Sequence, residues 1–169
     1  DGIEYIDINI PGSYPSKKLG SPNLPMLNKL IEIPRKADLR IEIINDETKI
    51  LNISDYNINS LIVPAQPSIS KSEINKAFII NENDYKSNKF YKNELIDIEQ
   101  KGLLREVQIA NLMISPVEYN PISNQLIIHE NIKFRIHFDN ADIEYTNYQK
   151  SLAYSPYFEP IFQNSINNY

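Results

Sequence analysis

Two histidines, one carboxylate pair and one cluster of acids and amides are the groups in this chain whose types and spacing suggest chemistry. His129 and His137 are eight residues apart on a predicted strand. Strand rise puts them on one face about 26 Å apart, too far to share a metal ion, so they read as surface histidines. Asp97 and Glu99 alternate as a glycosidase acid/base pair on one strand face would. A solvated strand face accounts for them better. Asn81-Glu82-Asn83-Asp84 offers oxygen ligands to calcium but lacks the twelve-residue loop with its central Gly. The four Gly form no phosphate-cradling loop and no Gly-x-Ser-x-Gly elbow, and no Cys is present. Disulfides, thiolate metal sites and a cysteine nucleophile within the chain are thereby excluded. No nucleophile stands beside a base, so the sequence argues against an enzyme: catalytic residues, metal and cofactors are all assigned as none.

The elements that position these groups must come from a chain of 169 residues. A chain of that size buries roughly 70% of its unfolded surface and holds a core without disulfides. Its 17 Lys+Arg against 22 Asp+Glu, scattered along the length, give a net charge of -5 and no nucleic-acid footprint. No apolar run approaches the roughly 18 residues of a membrane span. The chain begins at Asp1 without a basic, apolar targeting segment. That fits a processed secreted product or a trimmed fragment.

Strict alternation marks the clearest element: Ile132, Phe134, Ile136 and Phe138 face one way, Lys133, Arg135 and His137 the other. The same period appears at Ile6, Ile8 and Ile10 and at Leu39, Ile41 and Ile43, all β-branched or aliphatic residues suited to a pleated surface. Two long strands, Val107–Tyr119 and Leu126–Phe138, are predicted to form a hairpin across Asn120-Pro121-Ile122-Ser123-Asn124-Gln125. Pro11 to Pro25 punctuate a loop ahead of a strand near Ile31–Ile33. An irregular stretch follows from Pro64 to about Tyr91, with one short strand expected at Phe78–Ile80. Only the C-terminus argues for helix, through Ile161, Phe162 and Ile166 behind Pro160. The expected fold is all-β, an antiparallel β-sandwich or distorted barrel with a short C-terminal helix or irregular tail, in one domain over 1–169.

The aromatics near the end, Tyr145, Tyr148, Tyr154, Tyr157, Phe158 and Phe162, lie beyond the last clear strand. Aromatic density of this kind suits a protein docking surface.

Three stretches resemble the N-terminal prodomain of the gingipain-type cysteine peptidases of family C25. They are Lys18-Leu19-Gly20-Ser21-Pro22-Asn23-Leu24-Pro25-Met26-Leu27, then Gly102-Leu103-Leu104-Arg105-Glu106-Val107 running into Ser115-Pro116-Val117-Glu118-Tyr119-Asn120-Pro121, and last Tyr157-Phe158-Glu159-Pro160-Ile161-Phe162 to Tyr169. The resemblance covers roughly Lys18 to Tyr169. It implies an exported, secreted or cell-surface propeptide that covers the active-site cleft of a cognate C25-type peptidase, keeps the zymogen latent and assists its folding. It also implies an inhibitory loop within about 64–91. On that loop Lys71, with Lys76 as runner-up, matches the basic residue that enters the specificity pocket, flanked by Pro67, Ser68, Ile69, Ser70 and Ser72. Partner docking is expected at Tyr157, Phe158, Ile161 and Phe162, on a tail over 152–169 leading to the catalytic domain. The competing reading is a free-standing secreted β-sandwich binding or adhesion module, which the absence of Trp weakens.

Overall fold

The computed structural model describes residues 4–68 and 77–169. Ile- and Val-rich alternation becomes strand throughout: β1 (Tyr5–Ile6), β2 (Ser13–Tyr14), β3 (Met26–Glu32), β4 (Asp38–Asn52), β5 (Leu61–Ile62), β6 (Ile96–Leu104), β7 (Val107–Ile114), β8 (Val117–Asn120) and β9 (Gln125–Asp139). The hydrogen-bonded orders are β1-β5, β2-β3-β7-β6 and β4-β9-β8. β1-β5 is parallel, whereas β2-β3, β6-β7 and β8-β9 are antiparallel. The chain is therefore of the all-β class; among the described residues the α-helices are the single turn α1 (Glu82–Tyr85), α2 (Ile143–Leu152) and α3 (Glu159–Ser165), with one 3-10 turn at Ile53–Tyr56.

Two compact units are woven from alternating segments, one from 1–27, 47–95 and 115–130, the other from 28–46, 96–114 and 131–169. The first is organised around Leu24, Ile53, Ile62, Val117, Tyr119 and Leu126, with Ile6, Ile8 and Ile10 packed against them. Strand pairing of the Ile6–Ile10 segment stops at Ile6, so its alternation reports burial more than sheet. Tyr119 has no exposed surface. Its main chain exchanges hydrogen bonds with Tyr91 (2.7 and 3.0 Å), and its hydroxyl accepts from the Ile62 N–H and donates to Asn124 Oδ1. The turn that follows is set by Asn120, whose Oδ1 accepts from the backbone N–H groups of Ile122 and Ser123, and by Asn124 at φ 50. This is the Asx chemistry that makes Asn-Pro a turn signal.

The second unit centres on Val107, Phe162 and Ile166, with Leu30, Ile109 and Tyr169 packed on them. At the β6-β7 connection Arg105 (φ 47) and Glu106 (φ 66) both adopt the left-handed backbone of a two-residue hairpin turn, where glycine or asparagine is usual. Side-chain contacts hold them there. Arg35 Nη2 donates to the Glu106 carbonyl (3.0 Å) and carboxylate (2.7 Å), while the Arg105 guanidinium lies 4.5 Å from the centre of the Phe158 ring. Gly102, at φ 127, sits where the β6-β7 register shifts. The Gly102–Val107 motif is thus a bulge followed by a strained turn.

Three expectations need correction. The strand predicted over Val107–Tyr119 is two strands in different sheets, interrupted at Ser115-Pro116. Pro116 has no N–H to give to a ladder, and its carbonyl accepts from His129 N–H instead (2.8 Å). Phe78–Ile80 is not a strand. And α2 was not expected, because it lacks an inward apolar stripe: Ile143, Tyr145, Tyr148 and Leu152 are exposed while Thr146 is buried. Its legible signal was the cap, since Asp142 accepts from the Tyr145 N–H, with Glu144 in the first turn and Lys150 in the last.

Replacing Tyr119 by Phe leaves the buried Ile62 N–H without its hydroxyl, and is expected to lower unfolding stability by about 1–2 kcal/mol. Burial raises the pKa of Tyr119, opposed by its hydrogen bond with Ile62, and burial also raises that of Tyr85. The unfolded chain therefore releases these protons first as pH rises. Stability is expected to fall above about pH 10 and to be unaffected by these groups below it. Urea midpoints measured from neutral to alkaline pH check this, and Tyr119→Phe should flatten the alkaline decline.

Candidate functional site

Gly20–Asn23 is the strip on which the first unit builds a stem, residues 63–68 on one side and 77–81 on the other. Asn23 N–H donates to the Val63 carbonyl, Ala65 N–H to Ser21, and Gly20 N–H to Ala65, each at 2.8 Å, around a Pro22–Pro64 bridge. On the other side, the Gly20 carbonyl accepts from Asn81 N–H, also at 2.8 Å. Gly20 has φ 80, and a Cβ there would stand 3.0 Å from Asn81 N and 3.1 Å from Ile79 Cγ2. No other residue fits that close approach without displacing the 79–81 segment.

The returning segment is locked by two polar groups. Gln66 Nε2 donates to the Ile79 carbonyl (2.7 Å), and Ile79 N–H donates back to Gln66 Oε1 (3.0 Å). A side-chain amide thus pairs with a main-chain peptide as a strand neighbour would. The Asp84 carboxylate accepts from Ser21 Oγ, Lys18 Nζ and Asn81 Nδ2. Burial disfavours its charge, but those donors outweigh it and hold its pKa below the usual value. Tyr85, on the same turn, is buried and donates its hydroxyl to the Ile62 carbonyl (2.7 Å).

The second candidate region is the C-terminal segment of the other unit. Ile166–Asn168 is stitched to β3: Leu30 bridges Ile166, Asn167 N–H donates to Leu30, and the Asn168 amide both accepts from Glu32 N–H (2.7 Å) and donates to its carbonyl (2.9 Å). Lys150 binds both oxygens of Glu32 and lies 4.2 Å from the centre of the Tyr169 ring. Outward from this base stand Tyr145, Tyr148, Leu152, Tyr154, Tyr157 and Ile161.

Residues 5–154 match the family described as Propeptide_C25. The chain belongs to the C25 propeptide family. It is 33% identical over 98% of its length to Lys-gingipain of Porphyromonas gingivalis and 25% identical over 78% to gingipain R1 of the same organism. It spans 10% of the length of that Lys-gingipain. A solved structure addressing zymogenic latency of gingipain K from P. gingivalis superposes with a TM-score of 0.73 at 32% identity, covering 81% of this chain and 75% of that one. A complex of the RgpB pro- and mature domains gives 0.70 at 19% identity over 94% of this chain and 77% of its own, a likeness of fold. The C25 propeptide is accordingly a regulatory domain of a peptidase zymogen rather than its catalytic domain.

In this C25 propeptide the residues singled out from sequence have different fates. Lys71 and Lys76, with Ile69, Ser70 and Ser72, lie outside the described residues, whereas Pro67 and Ser68 belong to the outgoing stem. Tyr157 is 86% exposed and Ile161 50%, while Phe158 is partly covered by Arg105 and Phe162. Phe162 is only 5% exposed, in its own unit's core, so its ring is not surface. The histidines are not bare surface groups either. His129 is largely buried with Nε2 3.3 Å from Glu118, and His137 Nε2 is 2.7 Å from Glu42 on the polar face of the β4-β9 ribbon. Of the acid cluster, Asp84 serves the stem and Glu82 pairs with Lys86; Glu99 pairs with Lys101.

Sequence reasoning missed Gln66, Asp84 and Asn168 as organisers, since a polar side chain's partner is set by which segments meet. Phe162→Ala is expected to destabilise the propeptide by about 3–5 kcal/mol through a core cavity, read as a large drop in Tm. Tyr157→Ala should leave Tm unchanged.

Proposed function

We propose that this propeptide keeps a gingipain-like cysteine peptidase latent by covering its active-site cleft, assists its folding, and is removed on maturation outside the cytoplasm. The family match over 5–154, joined to the superposition on the gingipain K structure concerned with latency, is the observation that carries this reading. The RgpB pro- and mature-domain complex supplies a precedent for the partner, a C25-type catalytic domain. The work divides between two surfaces. Lys71, with Lys76 the second choice, fills the specificity pocket from the candidate inhibitory loop over about 64–91, which belongs to the first unit. A pocket accepting Lys agrees with the resemblance to Lys-gingipain. The exposed Tyr157, Phe158 and Ile161, on the second unit, dock on the catalytic domain.

The chain titrated against its matched peptidase domain should inhibit competitively; no effect at micromolar concentration rejects the reading. Lys71→Ala is expected to raise the inhibition constant by about tenfold or more with Tm almost unchanged, because an ammonium paired inside a pocket is worth about 2–5 kcal/mol. An unaltered constant removes Lys71 from the mechanism. Tyr157→Ala should weaken the complex by about 2 kcal/mol, as loss of an aromatic interface anchor does, again without touching Tm.

A further inference from the structure

Gln66 stands where the stem would otherwise lose its register. On the outgoing side, backbone pairing to the Gly20–Asn23 strip runs through Val63 and Ala65; on the returning side, backbone pairing begins at Asn81. Ile79 has no strand neighbour, being outside every sheet. Yet both of its polar groups are paired, by the two ends of one side-chain amide at 2.7 and 3.0 Å. The same amide nitrogen also reaches the carbonyls of Pro64 (3.1 Å) and Ala65 (3.4 Å), so its rotamer is held against its own strand. The ring of Tyr5 lies 5.5 Å from that of Phe78, one residue earlier on the returning side. Gly20, whose missing Cβ leaves room for Ile79 and Asn81, and Asp84, which ties Asn81 to Ser21 and Lys18, complete the fit.

We propose that Gln66 is a positioning residue for inhibition, a side-chain surrogate for a peptide group that sets the spacing and direction in which the chain leaves at Ser68 and returns at Ala77. The inference rests on the inhibitory reading above, and concerns which residue gives the inhibitor its strength. A loop whose two ends are fixed before binding loses less conformational freedom on binding, so the clamp lowers the inhibition constant without touching the peptidase. No other side chain of the natural set repeats the geometry: Asn is one methylene shorter, Glu offers an acceptor to the Ile79 carbonyl, and Met keeps the length while removing both hydrogen bonds.

The test is Gln66→Met in the full chain, titrated against the matched peptidase domain, with Tm and backbone amide exchange measured in parallel. The expected result is an inhibition constant raised about tenfold, faster exchange at Ile79 and little change in Tm. On a Lys71→Ala background the same substitution should add little, because both act through one loop. Gly20→Ala, which presses on Ile79 and Asn81 from the other side, is the second variant and should raise the constant too. Inhibition by the unsubstituted chain that Gln66→Met leaves unchanged overturns the clamp alone. Failure of the unsubstituted chain to inhibit overturns the prodomain reading together with the clamp's role. Full additivity with Lys71→Ala overturns the shared route.

Discussion

The main chain of Ile62 is the point on which the first unit depends. Both of its polar atoms are buried, and both are met by tyrosine hydroxyls: Tyr119 accepts from the N–H at 3.4 Å and Tyr85 donates to the carbonyl at 2.7 Å. A buried peptide group left unpaired costs about 1–3 kcal/mol per polar atom, so β5 can lie in the core only while both rings are in place. Each ring brings its own segment with it. Tyr119 anchors the β8-β9 hairpin and Tyr91; Tyr85 brings the turn that carries Asp84. Because β5 leads directly into Val63–Ala65, the stem inherits its position from this one residue's main chain.

A second theme is the use of side-chain amides as strand neighbours. Gln66 pairs with Ile79 in the first unit, and Asn168 pairs with Glu32 in the second, each donating and accepting at once. An amide side chain satisfies an edge peptide and then stops, offering no further ladder to another chain. That is a way to close strand edges without adding strands. Asn120 does related work within the hairpin, where its carbonyl oxygen replaces a backbone acceptor for two successive N–H groups.

The surface chemistry of the second unit follows from strain and inversion. Arg105 and Glu106 hold left-handed backbone conformations because their side chains are engaged by Phe158 and Arg35. α2 turns its polar Thr146 inward, where the Oγ1 accepts from Arg35 N–H and donates to the Asp142 carbonyl, and turns its tyrosines outward. A helix so arranged gains little from burying its own apolar residues and leaves its tyrosines exposed.

What the sequence determined by itself was everything that depends on local pattern. Alternation placed β4 and β9, Asn-Pro chemistry placed the 120–125 turn, Pro160 marked the start of α3, and the absence of cysteine excluded disulfides and a cysteine nucleophile within the chain. The motif around Gly20 was legible as a Pro-punctuated loop ahead of a strand, though not as the strip on which the stem is built. Tertiary structure alone decided where partners lie far apart in the chain. Nothing local tells that Gln66 faces Ile79, that Asp84 faces Ser21, or that Phe162 fills a core while Tyr157 meets solvent. The reason is physical: periodicity reports which face of an element is apolar, but the partner of a polar atom is fixed only when two remote segments are brought within about 3 Å of each other.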